Sequence, residues 1–339
     1  MSDEGAHGAE EVRSTRGLWY RVVSVGSVCV VLGALVWWVV YGLSSRVWVA
    51  DMLLNGTAQV LGAGWMVWAG VVMSRRGWIE AVGLVGLLSV SAVLLGGRPL
   101  VRVGGGDDRR SDQQSISVVT MNIFMANQQP EQVLELIRSF EDDVVVLVEP
   151  QWDVFRRFLD GDDGADQFGY RVLRRRIGNE AAPMVILSRW GIERDEGVDE
   201  LLGISGLILR PDDHGGPFEL TGIHIRSPRS YARWSKGNGE LEELIRSVER
   251  EDRSNGIRRV VVGDLNGGPG TARDRRLRGG FNMVRSSSMM GLSGTFPANL
   301  SIFGVGIDDI WISEGFDVLS WESIEIPGSD HRGVRVVIR

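Results

Sequence analysis

In this 339-residue chain, the residues whose types and spacing can do chemistry stand at the ends of apolar runs. Asn122 follows Ile116 to Met121, Glu149 follows Val144 to Val148, and Asp264 with Asn266 follows Arg259 to Val262. A buried strand that ends in a carboxylate or carboxamide presents oxygen donors at a sheet edge. That donor set suits a hard divalent cation, Mg²⁺ or Mn²⁺, rather than zinc. The most specific segment runs from Val260 to Gly270, where Asp264 and Asn266 at i and i+2 enter a glycine-rich turn and can face the same side. An Asx turn that bonds only local amides is the plainer account of that pair. It leaves the other clusters unexplained.

Four histidines occur in the chain, and two fall at such strand ends. His224 closes Leu220-Thr221-Gly222-Ile223 and can donate to a phosphate oxygen. His331 lies beside Asp330 just before the last apolar run, and Asp308 can accept its other ring proton. Those are the ingredients of a general base held in one tautomer. Arg226 and Arg332 lie just past the two histidines and are candidate substrate contacts.

The elements that must position these groups alternate between short β-rich runs and helical stretches. Strands are expected at 116–121, 144–148, 170–173, 184–187, 206–209, 219–225, 259–262, 309–312 and 334–338, with helices near 131–140, 151–159 and 241–250. Strands outnumber helices and several are joined by turns, so the pattern predicts an α/β domain with mixed or antiparallel sheets over 115–339. No internal repeat is evident.

The first hundred residues are different. Residues 22–45, 52–74 and 81–97 contain no Asp, Glu, Lys or Arg, and three transmembrane helices are expected there, giving a multi-pass protein held in the lipid bilayer. Arg13, Arg16, Arg21, Arg75 and Arg76 in the short flanks, against Arg46 in the first loop, place a 1–21 tail in the cytoplasm. The domain after the third helix then lies outside the plasma membrane. Gly104 to Asp112 is small, polar and aperiodic, so 98–114 reads as a linker.

The whole chain carries a net charge of -7, and residues 103–339 carry about -9 of it by the same sequence count. So acidic a domain has no overall pull toward a polyanion, which disfavours a generic nucleic-acid binder. Three arginine clusters, Arg174 to Arg176, Arg226-Arg229-Arg233 and Arg273-Arg275-Arg276, still offer a way to line a nucleic-acid groove. The single cysteine, Cys29, excludes an internal disulfide framework and cysteine-rich zinc sites. No protein partner can be inferred.

Taken together, Met121-Asn122-Ile123, Val148-Glu149-Pro150, Thr221-Gly222-Ile223-His224, Gly263-Asp264-Leu265-Asn266, Ile307-Asp308-Asp309-Ile310 and Ser329-Asp330-His331-Arg332 resemble the motifs of the endonuclease/exonuclease/phosphatase superfamily, in order and spacing. Ile186-Leu187-Ser188-Arg189 and Gly294-Thr295-Phe296-Pro297 support the match. The resemblance covers about 115–339 and suggests a membrane-anchored bacterial type. It implies a four-layer α/β/β/α sandwich of two mainly antiparallel sheets with the site at one sheet edge.

By the same resemblance, Glu149 binds catalytic Mg²⁺ with Asn122 near it, and Asp330 is a metal or structural ligand. Asp264 and Asn266 position the attacking water and a phosphate oxygen. His331 is the general base or a phosphate-contacting imidazole oriented by Asp308, and His224 stabilises charge on the phosphoryl group. The expected activity is metal-dependent hydrolysis of a phosphodiester or phosphomonoester, on a phospholipid head group or a small phosphorylated molecule. A nuclease is the alternative, and an inactive ligand-binding domain is the rival from another class. Two departures are Asp309, where relatives often carry an aromatic residue or His, and Gly333, where Pro is frequent. Asp309 leaves two carboxylates competing for His331.

Overall fold

The computed structural model describes residues 25, 28–72, 83–88, 90–91, 115–160, 164–175, 183–195, 203–211, 215–251, 257–287 and 294–339. The chain divides into two compact units, Met1–Arg98 and Pro99–Arg339. The expected 1–21 tail and nearly all of the 98–114 linker fall outside the described residues.

In the first unit the chain is helical over 28–43, Trp48–Leu54, Thr57–Val72, 83–88 and 90–91. Small residues let these helices approach closely: a Cβ on Gly64 would stand 2.9 Å from Leu87 Cδ2, and one on Gly86 would stand 3.0 Å from Ala34 Cβ. Trp37 Nε1 donates to Thr57 Oγ1 at 3.1 Å. Among the described residues, no helix is long and apolar enough to cross a membrane. The three expected transmembrane helices are therefore not found among them. The uncharged run 52–74 is not one helix but is broken by a turn at Asn55-Gly56, whose amides donate to Met52 O and Leu53 O. The 16-residue helix that follows is about 24 Å long, short of the ~30 Å apolar thickness of a bilayer. Absence of charge set the length of the expected 52–74 span, and local backbone bonding divides it.

The second unit contains two six-stranded mixed sheets. In chain order the strands are β1 (Ile116–Asn122), β2 (Val144–Val148), β3 (Arg171–Arg174), β4 (Met184–Ser188), β5 (Gly191–Arg194), β6 (Gly203–Leu209), β7 (Phe218–His224), β8 (Arg258–Asp264), β9 (Val284–Arg285), β10 (Asp308–Ile312), β11 (Val318–Glu325) and β12 (Arg332–Ile338). One sheet has the order β11-β12-β1-β2-β4-β3, the other β5-β6-β7-β8-β10-β9. Each has a single parallel pair, β1/β2 and β7/β8, and antiparallel pairing elsewhere. A parallel pair needs a crossover, which α1 (Pro130–Arg138) supplies for the first and α3 (Tyr231–Glu251) for the second. The remaining helices are α2 (Trp152–Asp160) and α4 (Ala272–Phe281).

Alternation along the strands builds the layers. Val118, Val144, Val146 and Val148 from one sheet meet Phe218, Leu220, Val260, Val262 and Ile310 from the other between the sheets. The odd-numbered neighbours Val119, Met121, Val145 and Leu147 instead pack under α1 and α2, against Val133, Ile137 and Phe155. On the far side Val261 and Trp311 pack under α3 and α4 with Leu241, Leu244 and Leu277. The result is a four-layer α/β/β/α sandwich, with three apolar strata that exclude water from its sheets.

Three strands and one helix have no counterpart in the sequence pattern. β11 is an edge strand whose residues are mostly half-exposed and polar, β9 has two residues, and β5 is no more than half-buried. α4 is rich in arginine and ends in two glycines. α3 begins ten residues before its expected start, because Gly237 and Gly239 interrupt the apolar period that marks the rest of it.

Candidate active site

Sheet topology explains why distant residues meet. β1 and β2 run parallel, with Asn122 opposite Val148, so Asn122 and Glu149 emerge from the same edge. β7 and β8 run parallel with His224 opposite Asp264, and antiparallel β10 enters at that edge with Asp308 opposite the same Asp264. β12, antiparallel to β1, starts just after His331. Asn122, His224, Asp264 and Asp308 all have the parity of the inter-sheet core residues in their strands, so their side chains converge between the sheets.

Glu149 is the exception that needs a backbone device. An extended chain would turn it toward the helical layer, whereas its φ of 54° breaks the alternation. Its Oε1 stands 3.3 Å from His224 Nε2, and its Oε2 accepts from Met125 N at 3.2 Å. Asn266 is also left-handed, with φ 50°. Such backbone costs about 1–3 kcal/mol per residue and persists where surrounding contacts hold it. Gly263 is dictated sterically: at φ 135° any Cβ would sit 2.1 Å from Ile223 O.

Asp264 is the hub. Its Oδ2 accepts from Asn122 Nδ2 at 3.1 Å and from Asn266 Nδ2 at 2.9 Å, and its Oδ1 from Asn266 N at 2.7 Å. His224 Nε2 lies 3.8 Å away. Burial, then the like charge of Asp308, pushes the Asp264 carboxyl up to about 8, against the opposing pull of His331. The Asx-turn bond is thus real, but it is one of several contacts in a larger cluster.

His331 Nδ1 is 2.8 Å from Asp308 Oδ2, so Nδ1 carries a proton toward the carboxylate and Nε2 faces the cleft. Phe296 packs against the ring at 4.9 Å between centroids. Thr295 Oγ1 accepts the Ile307 and Asp308 amides at 3.0 Å each, and Ser329 Oγ donates to Asn122 O at 2.8 Å. Burial disfavours the imidazolium, yet Asp308, Asp264 and Asp330 together outweigh it and raise His331 to about 10. The other histidine moves oppositely: burial lowers His224, with Glu149 only partly offsetting it. One imidazole is therefore a charged donor at neutral pH and the other a neutral group.

The structure brings Asn122, Glu149, His224, Asp264, Asn266, Asp308 and His331 into one cluster. Asp330 sits at its rim, with Oδ1 4.0 Å from His331 Nε2 and its side chain 42% exposed. Arg226 and Arg332 are turned to other partners: Arg226 Nε binds Glu240 Oε1 at 2.8 Å, and Arg332 Nε binds Ser323 Oγ at 2.7 Å. Of the arginine clusters, Arg176 lies outside the described residues and Arg229 is exposed, while the others are engaged within the domain. Arg174 donates to Leu159 O, Arg233 to Ser227 O, Arg275 to Gly270 O and Arg276 to Glu242, while Arg175 and Arg273 are buried. Thr295 and Ser329 hold the Asp308 and His331 segments without being singled out by their own chemistry.

The donor set fits a hard divalent cation. Asp264, Asp308 and His331 place one potential ligand atom each within 4.8 Å of one another. With His331 Nδ1 committed to Asp308, oxygen donors are what remain, from Asp264 and from Glu149, whose carboxylate keeps lone pairs free beyond its two contacts. A buried carboxyl held near 8 is one that a cation would ionise.

Fold and site together define a phosphoesterase-type sandwich. The sequence profile of the endonuclease/exonuclease/phosphatase family matches residues 119–331, and the chain belongs to that family, whose members are generally hydrolases of phosphoester bonds. No curated protein matches the sequence. The solved structures it resembles include the human Nocturnin catalytic domain with a bound sulfate anion, at 15% identity and TM-score 0.51, covering 67% of this chain and 94% of that one. An AP endonuclease from Archaeoglobus fulgidus has 14% identity and TM-score 0.50, covering 65% and 98%. An endonuclease/exonuclease/phosphatase from Beutenbergia cavernae has 17% identity and TM-score 0.46, covering 67% and 72%. These likenesses concern the fold.

Proposed function

We propose that residues 115–339 form a divalent-metal-dependent hydrolase of a phosphate ester, acting on a phospholipid head group or a small phosphorylated molecule. The observation that carries this reading is the convergence, on one sheet edge, of the buried Asp264 with the His331–Asp308 pair, Glu149 and His224. Mg²⁺ or Mn²⁺ would be held by Glu149 with Asn122 near it, and would supply Lewis-acid neutralisation of phosphoryl oxygens.

The chain's own groups do the rest. Asp264 accepts a proton from the attacking water, and Asn266 holds that carboxylate in place through two hydrogen bonds. The His331 imidazolium donates from Nε2 to a phosphoryl oxygen as charge develops, with Asp308 fixing its tautomer. His224, neutral and beside Glu149, lines the opposite wall and can donate to a second oxygen. Water adds to phosphorus as the ester P–O bond breaks, the water proton passes to Asp264, and the leaving ester oxygen takes a proton from solvent, to which Asp264 returns its own.

Two observations favour a small or lipidic ester over nucleic acid. Most of the described arginines that would line a polyanion groove are engaged within the domain, Arg229 standing exposed. Large apolar side chains instead stand exposed on segments adjoining the site: Met125 beside Glu149, and Leu300 and Phe303 on the turn after Phe296. The test is hydrolysis of plasmid DNA, RNA, bis(p-nitrophenyl) phosphate and phospholipid vesicles by the full-length protein and Glu149→Ala, with Mg²⁺, Mn²⁺ or EDTA. Metal-dependent turnover lost in the variant supports the reading, and nuclease activity alone moves it to the nucleic-acid alternative. Intact binding function in Glu149→Ala and His331→Ala would favour an inactive ligand-binding domain.

The reading also keeps the protein at the plasma membrane, with this domain on the outer side. Its support is the apolar exposure of the N-terminal helices, where Leu35, Val36, Val39 and Met66 are solvent-facing, together with the arginine asymmetry of the flanks. Fractionation tests the attachment, and protease added to intact cells tests the side: a protected domain reverses the orientation.

A further inference from the structure

Arg273 lies in the first turn of α4 and is 1% exposed, far from the surface role its arginine-rich surroundings suggest. Its guanidinium is spent on the site's backbone. Nη1 donates to Leu265 O and to Asn266 O, both at 3.0 Å, Nη2 donates to Arg226 O at 2.9 Å, and Nε donates to Asn238 Oδ1 at 3.1 Å. Those acceptors belong to three segments: the turn after β8 that carries Asp264 and Asn266, the loop that follows His224, and α3. The approach is tight enough to require glycine on α3, since a Cβ at Gly237 would lie 2.7 Å from Nη2.

We infer that Arg273 is a positioning residue, whose guanidinium locks the Asp264–Asn266 turn against the loop that follows His224. The left-handed backbone of Asn266 needs such support, because a carbonyl in a strained tight turn has no ladder partner to hold it. Arginine suits the task because one rigid planar fork delivers donors in several fixed directions, which a lysine ammonium on a flexible stem does not reproduce. Arg285 provides the contrast: equally enclosed, it serves Asp309 and Gly306 O on the helical side of β10, away from the cluster.

The catalytic consequence rests on the phosphoesterase reading, whereas the geometric one does not. The test therefore has two arms in the full-length chain, with Arg273→Lys, Arg273→Ala and, for comparison, Arg285→Lys. In the first arm, amide hydrogen exchange at Leu265 and Asn266 is expected to quicken at least tenfold in Arg273→Lys, with Val260 to Val262 unchanged. In the second, kcat on bis(p-nitrophenyl) phosphate is expected to fall about 10- to 100-fold with KM within threefold. Free guanidinium is expected to restore part of the kcat of Arg273→Ala, while Arg285→Lys keeps its kcat per folded molecule. Unchanged exchange at Leu265 and Asn266 in a folded Arg273→Lys overturns the inference, as does unfolding of both Arg273 variants. If the turn loosens while the wild type cleaves no phosphate ester, the positioning role stands and the phosphoesterase reading falls.

Discussion

Asp308 and Asp309 are neighbours on β10, both buried, and they belong to different regions of the molecule. Asp308 faces between the sheets, where it meets His331 Nδ1 at 2.8 Å. Asp309 faces the helices, where its Oδ2 binds Arg285 Nε at 2.7 Å, its Oδ1 accepts Ser286 Oγ at 2.9 Å, and Asp274 completes the cluster through Arg285 and Arg278. The first region gathers like charges and leaves a carboxyl protonated to about pH 8; the second pairs each charge with its opposite. A buried carboxylate among others is poised for a cation and a reaction, and one matched to arginine is committed to the fold. The contrast also resolves which aspartate orients His331: Asp308 does, and Asp309 cannot reach it.

Four measurements break or sharpen that contrast. The largest effect is expected from Asp308→Asn or His331→Ala, which should lower kcat per folded molecule by about 10²- to 10⁴-fold. A comparable collapse of folding would place Asp308 with the structural cluster. Asp309→Asn should do the reverse, losing about 3–5 kcal/mol in denaturant unfolding because the buried Arg285 loses its nearest carboxylate, with little change in kcat per folded molecule.

Proton linkage gives the third. Asp264 is raised from 3.8 to about 8 and His331 from 6.5 to about 10, so for each group the proton is bound more tightly in the folded chain. Their stabilisation is complete below pH 3.8 and 6.5 and disappears as pH rises through about 8 and 10. Metal-free protein should therefore lose melting temperature toward alkaline pH. Mg²⁺ should raise that temperature more at pH 8.5 than at pH 6, where it competes with the Asp264 proton. A Mg²⁺ shift independent of pH would show that the cation does not bind beside the Asp264 carboxyl. The smallest effect belongs to Arg226→Gln. It removes a half-exposed pair with Glu240, at about 0.2–1 kcal/mol, and should leave KM within twofold; a tenfold rise in KM would return Arg226 to the substrate.

Much of the site was legible in the sequence because strand ends leave a strong local signature, an apolar run followed by a polar residue. Asn122, Glu149, His224 and Asp264 were all read that way, and the resemblance supplied the roles. Arg226 and Arg332, expected as substrate contacts by the same logic, turn to Glu240 and Ser323, since proximity along the chain says nothing about where a long side chain turns. Arg273 was hidden among other arginines, because charge density looks alike whether it is solvated or buried. β11 and α4 escaped notice since an edge strand and a short arginine-rich helix lack a clear apolar period. The uncharged N-terminal runs were visible, but the break at Asn55-Gly56 was not, since it depends on backbone bonds rather than on charge.

By itself, then, the sequence determined the residue types available for phosphoester chemistry, their order and the alternation that sends strand neighbours to opposite faces. Only the tertiary structure decided which face is the cleft. Two parallel pairs and two antiparallel returns bring six strand ends to one edge, where burial raises the Asp264 carboxyl and lowers His224 while the gathered carboxylates raise the His331 imidazole. Such shifts come from desolvation and from charges tens to hundreds of residues away, quantities no local stretch of chain contains.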